Sequence, residues 1–230
     1  MPINSPVVLI HATLWWPLAA RLAIRFRDLG CQVHSISPPV HPMHSVRGIE
    51  RRYCFRSWSV QQSLIEAIES ANADYIVPTD DRAIWQLHAL AANHPQYEKL
   101  VVRSLGDSKS FETVRSRIRL LNLAESLRIR TPRTVPLSNL KEATCYANSW
   151  SYPALVKRDG TTGGRGVAVV RSPKELLDAY LRLRRSPSAL ASLKRRLVDG
   201  DSLAFLRPSS LPPQDISLQS FIAGKPANPN

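Results

Sequence analysis

A lysine followed closely by a run of small residues can hold phosphate. In the stretch ALVKRDGTTGGRGVAVV, residues 154–170, Lys157 precedes Gly160, Thr161, Thr162, Gly163, Gly164, Arg165 and Gly166. Small residues let backbone N–H groups converge on an anion without side chains in the way. Lysine adds a point charge, and Arg165 is a second group that seeks phosphate. The order excludes a Walker A loop, where G-K-[ST] opens a helix. No H-R-D or D-F-G follows, which argues against a protein kinase. Taken alone, the stretch also reads as a glycine-rich hairpin turn.

Other residues with chemistry have plainer readings. Asp80 and Asp81 follow a predicted strand, where open α/β sheets bind ligands, but they are equally placed to cap the next helix. His34, His41 and His44 sit in a Pro-rich stretch and read as solvated loop histidines, with no further metal ligand beside them. Trp15 and Trp16 are expected in the core. Cys31, Cys54 and Cys145 are widely spaced, which fits a reducing cytoplasm better than a disulfide framework or a zinc ribbon. Arg182, Arg184, Arg185, Lys194, Arg195 and Arg196 form the densest basic patch, read as a solvated helix face.

The 230 residues carry a formal charge of +13, a pI near 10.3 and a hydrophobic fraction of 43%. That fraction suits a folded core, and the charge suits anionic partners. Without a helix-turn-helix, zinc finger or aromatic RNA-binding signature, nucleic acid is not the expected partner. Polar residues and prolines interrupt the apolar N-terminus, so neither a membrane span nor a signal peptide is expected, and the reading is cytoplasmic.

These residues need elements to position them. PVVLIHA, CQVHSIS, DYIVPT and KLVVRS read as strands. LAARLAIRFRDLG (with Leu18, Leu22, Phe26 and Leu29 at helical spacing), VQQSLIEAIESAN and DDRAIWQLHALAANH read as helices between them. The alternation predicts a parallel α/β sheet over residues 1–105. No G-x-G-x-x-G follows the first strand, so a dinucleotide site of the usual kind is not expected. From Gly106 a helix or helix pair is expected, with Phe111, Val114, Ile118 and Leu121 on one stripe and Asp107 as cap. Then follow the short helix KEATCYANSW, the glycine hairpin, and the helix SPKELLDAYLRLRR with Ser172 and Glu175 as a capping box. Residues 186–216 read as a basic, Pro-rich insertion, and ISLQSFIAG as a last strand.

The order of these pieces resembles the ATP-grasp superfamily over nearly the whole chain. The matching motifs are GDSK (106–109), RIRTP (128–132), YPALVK (152–157), GTTGGRG (160–166) and LQSFIAG (218–224), with DYIVPTDD as the end of the family's preceding α/β domain. The resemblance implies a parallel α/β domain at 1–105 and the first part of an α+β ATP-grasp domain at 106–230. It implies ATP held by Lys109, Lys157 and the loop Gly160 to Gly166. The backbone of Gln219, Ser220, Phe221 and Ile222 would meet the adenine edge, with Phe221 and Ile222 as apolar walls. The family reaction is ATP-driven activation of a small carboxylate as an acyl phosphate, for attack by an amine or similar nucleophile. The family also uses Mg²⁺, held by acidic residues and an Asn beyond the last strand, and GKPANPN supplies no such set. Gln219 stands where many members have Glu. The resemblance thus implies a nucleotide-binding chain, incomplete as a catalyst. The charge leaves a second reading, a non-catalytic basic protein binding nucleic acid or an acidic partner.

Overall fold

The structure is a computed structural model describing residues 5–56, 59–161, 164, 166–185 and 215–224. Its described residues form two compact units, the first ending at Phe111 and the second beginning at Glu112.

In the first unit, β1 (Val7–His11), β2 (Gln32–Ser37), β3 (Arg51–Cys54) and β4 (Tyr75–Pro78) form a parallel sheet in the order β3-β2-β1-β4. Alternation along β1 sends Val8 and Ile10 to one face and Leu9 to the other, and each face is covered by helix. Val8, Ile10 and Val33 pack on Ala19 and Ala23 of α1 (Pro17–Asp28). Leu9, Ile36 and Ile76 pack on Leu64 and Ile68 of α2 (Val60–Ala71) and on Leu87 and Leu90 of α3 (Asp81–Asn93). The face α1 buries is therefore its alanines, not the expected leucine stripe: Leu18 and Leu29 are exposed. Small side chains let that helix lie close on the sheet.

Two expectations fail here. KLVVRS is no strand but the heart of α4 (Glu98–Leu105). The Ser104 hydroxyl donates to Leu100 O (2.7 Å) and accepts from Ile76 N of β4 (2.9 Å), so α4 covers the sheet edge instead of extending it. Conversely β3, reading RRYC, had no apolar signature; its pairing with β2 makes it a strand.

Beyond Gly106 (φ +92°), Asp107 caps a 3-10 turn, Ser108–Ser110, by accepting from Lys109 N. The helix pair is α5 (Phe111–Arg115) and α6 (Arg117–Ser126), but not on one stripe. Ser116 is extended between them (φ −111°, ψ 115°), Phe111 is buried, stacked at 3.8 Å on His88, and Val114 is exposed.

In the second unit, β5 (Thr134–Pro136), β6 (Ala154–Arg158), β7 (Val167–Val170) and β8 (Ile216–Ser220) form an antiparallel sheet in the order β5-β8-β6-β7. One face carries Ala154, Val156, Ala168, Val170, Ile216 and Leu218. It packs on α7 (Leu140–Ser149) and on Leu176, Ala179, Tyr180 and Leu183 of α8 (Pro173–Arg184). Ser172 accepts from Glu175 N, and the Glu175 carboxylate reaches back to Arg171 N: the expected capping box, one residue wider on its return arm. The expected insertion lies outside the described residues over 186–214, as do Lys194, Arg195 and Arg196.

Candidate functional site

The second sheet has a polar face opposite its core. Lys157 pairs with Val167 and Ser217, and Leu155 with Val169 and Gln219; Thr134 also faces Gln219. Paired residues point to the same side of a sheet. Thr134, Leu155, Lys157, Val167, Val169, Ser217 and Gln219 therefore share one face, with Val167 and Val169 both 43% exposed. Among the described residues, α7 and α8 pack on the opposite face.

Lys157 is oriented on that face by a chain of hydrogen bonds. Its Nζ donates to Gln219 Oε1, Gln219 Nε2 donates to Thr134 Oγ1 (2.9 Å), and Thr134 Oγ1 donates to Pro132 O (2.9 Å). Gln219 is buried, so its amide has a fixed orientation. A neutral amide holds the ammonium without cancelling its charge, whereas a carboxylate would neutralise it. Burial lowers the Lys157 pKa, and the nearby Arg117 guanidinium lowers it further. The buried Ser217 hydroxyl beside it has no hydrogen-bond partner among the described residues.

Sequence reasoning missed Arg117 and Asp159. Arg117 opens α6, behind the Ser116 cap, and its guanidinium meets the Asp159 carboxylate at 3.1 Å. The Arg117 backbone N–H also points at that carboxylate (3.3 Å). Asp159 is buried one residue beyond β6, where the glycine loop starts. The only signal was an acid next to the loop; nothing marked its partner forty residues earlier.

The loop's ends are fixed. Arg158 N donates to Gly166 O (2.8 Å) and Val167 N to Gly164 O (3.1 Å). Gly160 and Gly164 take positive φ (+67° and +75°). At Gly166 a Cβ would lie 1.9 Å from Thr161 Oγ1 and 2.9 Å from Arg158 O, so glycine is needed for close approach. Thr162, Gly163 and Arg165 lie outside the described residues.

Of the expected adenine strand, β8 ends at Ser220, whose N–H donates to Arg133 O (2.9 Å). Phe221 and Ile222 continue past the ladder as irregular, exposed chain, not as strand. Lys109 is exposed on its 3-10 turn in the first unit.

Asp80 and His41 have structural partners. Asp80 caps α3 through Ala83 N (3.0 Å). It also receives Thr13 N (2.7 Å), Thr13 Oγ1 (2.5 Å) and Leu14 N (3.3 Å), tying the turn after β1 to the end of β4. His41 is buried, not solvated: its Nε2 lies 3.0 Å from Leu14 O, and its Nδ1 accepts from Met43 N (3.1 Å). Trp15 and Trp16, in the turn between β1 and α1, are half-exposed rather than in the core. Among the described residues no group of three or more His, Cys, Asp or Glu could hold a metal ion. The one buried acid beside the loop, Asp159, is already ion-paired. Among the described residues, the cations Lys157 and Arg117 and the single carboxylate beside the loop do not make the oxygen set a divalent cation takes.

A parallel α/β unit followed by an antiparallel sheet with a glycine-loop hairpin is a fold shared with solved ATP-grasp structures, and part of the chain is similar to an ATP-binding domain of that superfamily. Residues 116–199 match the family described as carbamoyl-phosphate synthase L chain, ATP binding domain. Among curated relatives, the formate-dependent phosphoribosylglycinamide formyltransferase of Prochlorococcus marinus is 25% identical over 164 residues, 71% of this chain and 40% of that protein. Two solved structures share the fold. Carboxyaminoimidazole ribonucleotide synthase from Aspergillus clavatus, complexed with ATP, has a TM-score of 0.64 at 12% identity, over 95% of this chain and 48% of that one. The biotin carboxylase domain of 2-oxoglutarate carboxylase from Hydrogenobacter thermophilus, solved with MgADP, ADP and bicarbonate, has a TM-score of 0.61 at 18% identity, over 93% and 44%. The chain spans less than half the length of each of these relatives. No helix among the described residues is long and apolar enough to cross a membrane.

Proposed function

We propose that the chain binds ATP on the polar face of the β5-β8-β6-β7 sheet. The triphosphate would meet Lys157 and the backbone of Gly160 to Gly166, and the adenine edge would meet the backbone from Gln219 to Ile222. Lys109, on the first unit, is assigned to the phosphates by its motif alone. The observation that carries the reading is the buried Gln219 amide holding a half-buried ammonium that has no ion-pair partner among the described residues. A cation partly stripped of water and held by a neutral amide favours an anion. Val167, Val169 and Leu155 supply apolar surface for a flat base.

ATP supplies phosphorylating power when bound. What these residues do is place it: Lys157 positions negative oxygens, the loop excludes water from them, and the β8 edge fixes the base. Within the larger proteins of this class the reading extends to activating a small carboxylate for an amine or similar nucleophile. The Mg²⁺ such chemistry uses would need ligands beyond the described residues. Titration calorimetry of the chain with ATP tests the site. Saturable binding that Lys157→Met weakens at least tenfold is expected; no binding, or binding indifferent to that change, refutes it.

A further inference from the structure

The second unit holds a cavity of about 420 Å³ at the end of its sheet, lined by residues of α6, β5, α8 and β8. Its floor is apolar and belongs to the face opposite Lys157. Ile216 precedes Ser217, which pairs with Lys157, so the Ile216 side chain points away from that lysine. Leu137 lies beside it, its N–H donating to Ile216 O (2.8 Å). Both are buried, and half-buried Ile118 of α6 adds a wall.

The rim is charged. Arg184, the last residue of α8, is exposed, yet one nitrogen of its guanidinium donates to the Tyr180 hydroxyl (2.9 Å). Tyr180 is fully buried, so its hydroxyl is a fixed post for that side chain, and the ring centroid lies 5.8 Å from the guanidinium carbon. Arg119 of α6 also lines the cavity. Its ion pair with Glu112 (2.6 Å) joins side chains 62% and 68% exposed, and a pair so open to water is weak enough to exchange for a ligand. Asp215, exposed, completes the rim.

We infer that this cavity is a binding site for a small organic monocarboxylate, separate from the face proposed for the nucleotide. Its carboxylate meets Arg184 and Arg119, since a guanidinium fork matches paired carboxylate oxygens. Its hydrocarbon body lies on Leu137, Ile216 and Ile118. The volume suits a small molecule. Asp215 repels a second negative charge, so a dianion is disfavoured. Tyr180 is a positioning residue, acting through Arg184. The sheet stands between this carboxylate and Lys157, so the molecule bound here is a ligand and not the partner of a phosphoryl transfer at that lysine. The inference does not depend on ATP binding.

The test titrates the full chain with benzoate by calorimetry, with thermal melts to show that each variant folds. Saturable binding is expected, weakened about tenfold by Arg184→Gln through loss of a charge-assisted contact and severalfold by Arg119→Gln. Tyr180→Phe keeps the ring and removes the post. It should weaken benzoate severalfold in the wild type and have no further effect on Arg184→Gln, the signature of a residue acting through the arginine. Benzyl alcohol, with the same body and no charge, should not bind measurably. Inorganic phosphate should bind more weakly than benzoate, and Asp215→Asn should narrow that difference. Lys157→Met and saturating ATP should leave benzoate affinity unchanged. Absence of saturable benzoate binding overturns the inference, as does binding indifferent to both arginine changes. Displacement by ATP or loss in Lys157→Met would place the carboxylate on the other face, and phosphate binding tighter than benzoate would refute the ligand class.

Discussion

The Lys157 ammonium donates to the Gln219 side-chain oxygen across the β6–β8 pairing, and Gln219 passes the constraint on to Thr134. The lysine is thus aimed by a residue that leaves its charge intact.

Gln219→Glu should reverse that property. A carboxylate in the same place pairs with Lys157, raises its pKa, and repels a triphosphate. An ATP affinity reduced about tenfold is expected, from like-charge repulsion worth about 1–2 kcal/mol near a protein surface. Calorimetry on the folded variant checks it, and an unchanged affinity would show that the neutrality of Gln219 does not govern binding.

Gly166→Ala should cost stability and loop geometry together. The new Cβ meets Thr161 Oγ1 at 1.9 Å and the Arg158 carbonyl at 2.9 Å. A loss of about 1–3 kcal/mol is expected, as for other overpacked positions. Thr161→Ala should restore only part of it, because the backbone carbonyl remains. Gly164→Ala meets nothing within 4 Å but has φ +75°, so it should cost about 1 kcal/mol through strain alone. Denaturant unfolding ranks the three.

The first unit should be acid-sensitive. Burial lowers the His11 pKa to about 4, from 6.5 in the open chain, against smaller opposing effects from Asp80 and Gln86; Arg82 adds to the lowering. Above pH 6.5 the ring is neutral in both states and costs nothing. As pH falls from 6.5 to 4, the unfolded chain takes up a proton that the folded one refuses, so stability falls. By that linkage His11 alone drains on the order of 3 kcal/mol, levelling off below pH 4. His41, also lowered by burial, acts in the same direction. Melting curves for wild type and His11→Asn should converge toward pH 4; parallel curves would rule out His11 as the source.

Asp80→Ala should rank among the more damaging polar changes in the first unit, at about 2–4 kcal/mol. It removes a helix cap and leaves the Thr13 hydroxyl and the Thr13 and Leu14 amides without their acceptor. Asp80→Asn, keeping one acceptor oxygen, should lose about half as much. Thermal melts compare the two.

The sequence made legible those parts of the fold that rest on local pattern. VVLIH reads as a buried strand because both its faces are covered, and Ser172 with Glu175 reads as a helix start because the capping hydrogen bonds are local. KLVVRS misled because three apolar or β-branched positions in a row fit a strand as well as a helix; the decision lay in Ser104, which satisfies the free Ile76 amide of β4. RRYC misled the other way, since an edge strand needs only a partner's backbone. At the candidate site, Lys157 and the glycines announced themselves by type and order. Arg117 did not, because only the fold brings the start of α6 to the end of β6.

The covering of β4 by α4 has a counterpart in the second unit that lacks such cover among the described residues. β7 is the outermost strand of its sheet among the described residues, pairing only with β6, and its Val167 and Val169 are exposed. Its outer row of amides and carbonyls is a template for another chain's strand, flanked at one end by Arg171. At high concentration this edge is where copies of the protein would adhere, so Val169→Lys should improve solubility in storage without touching the core.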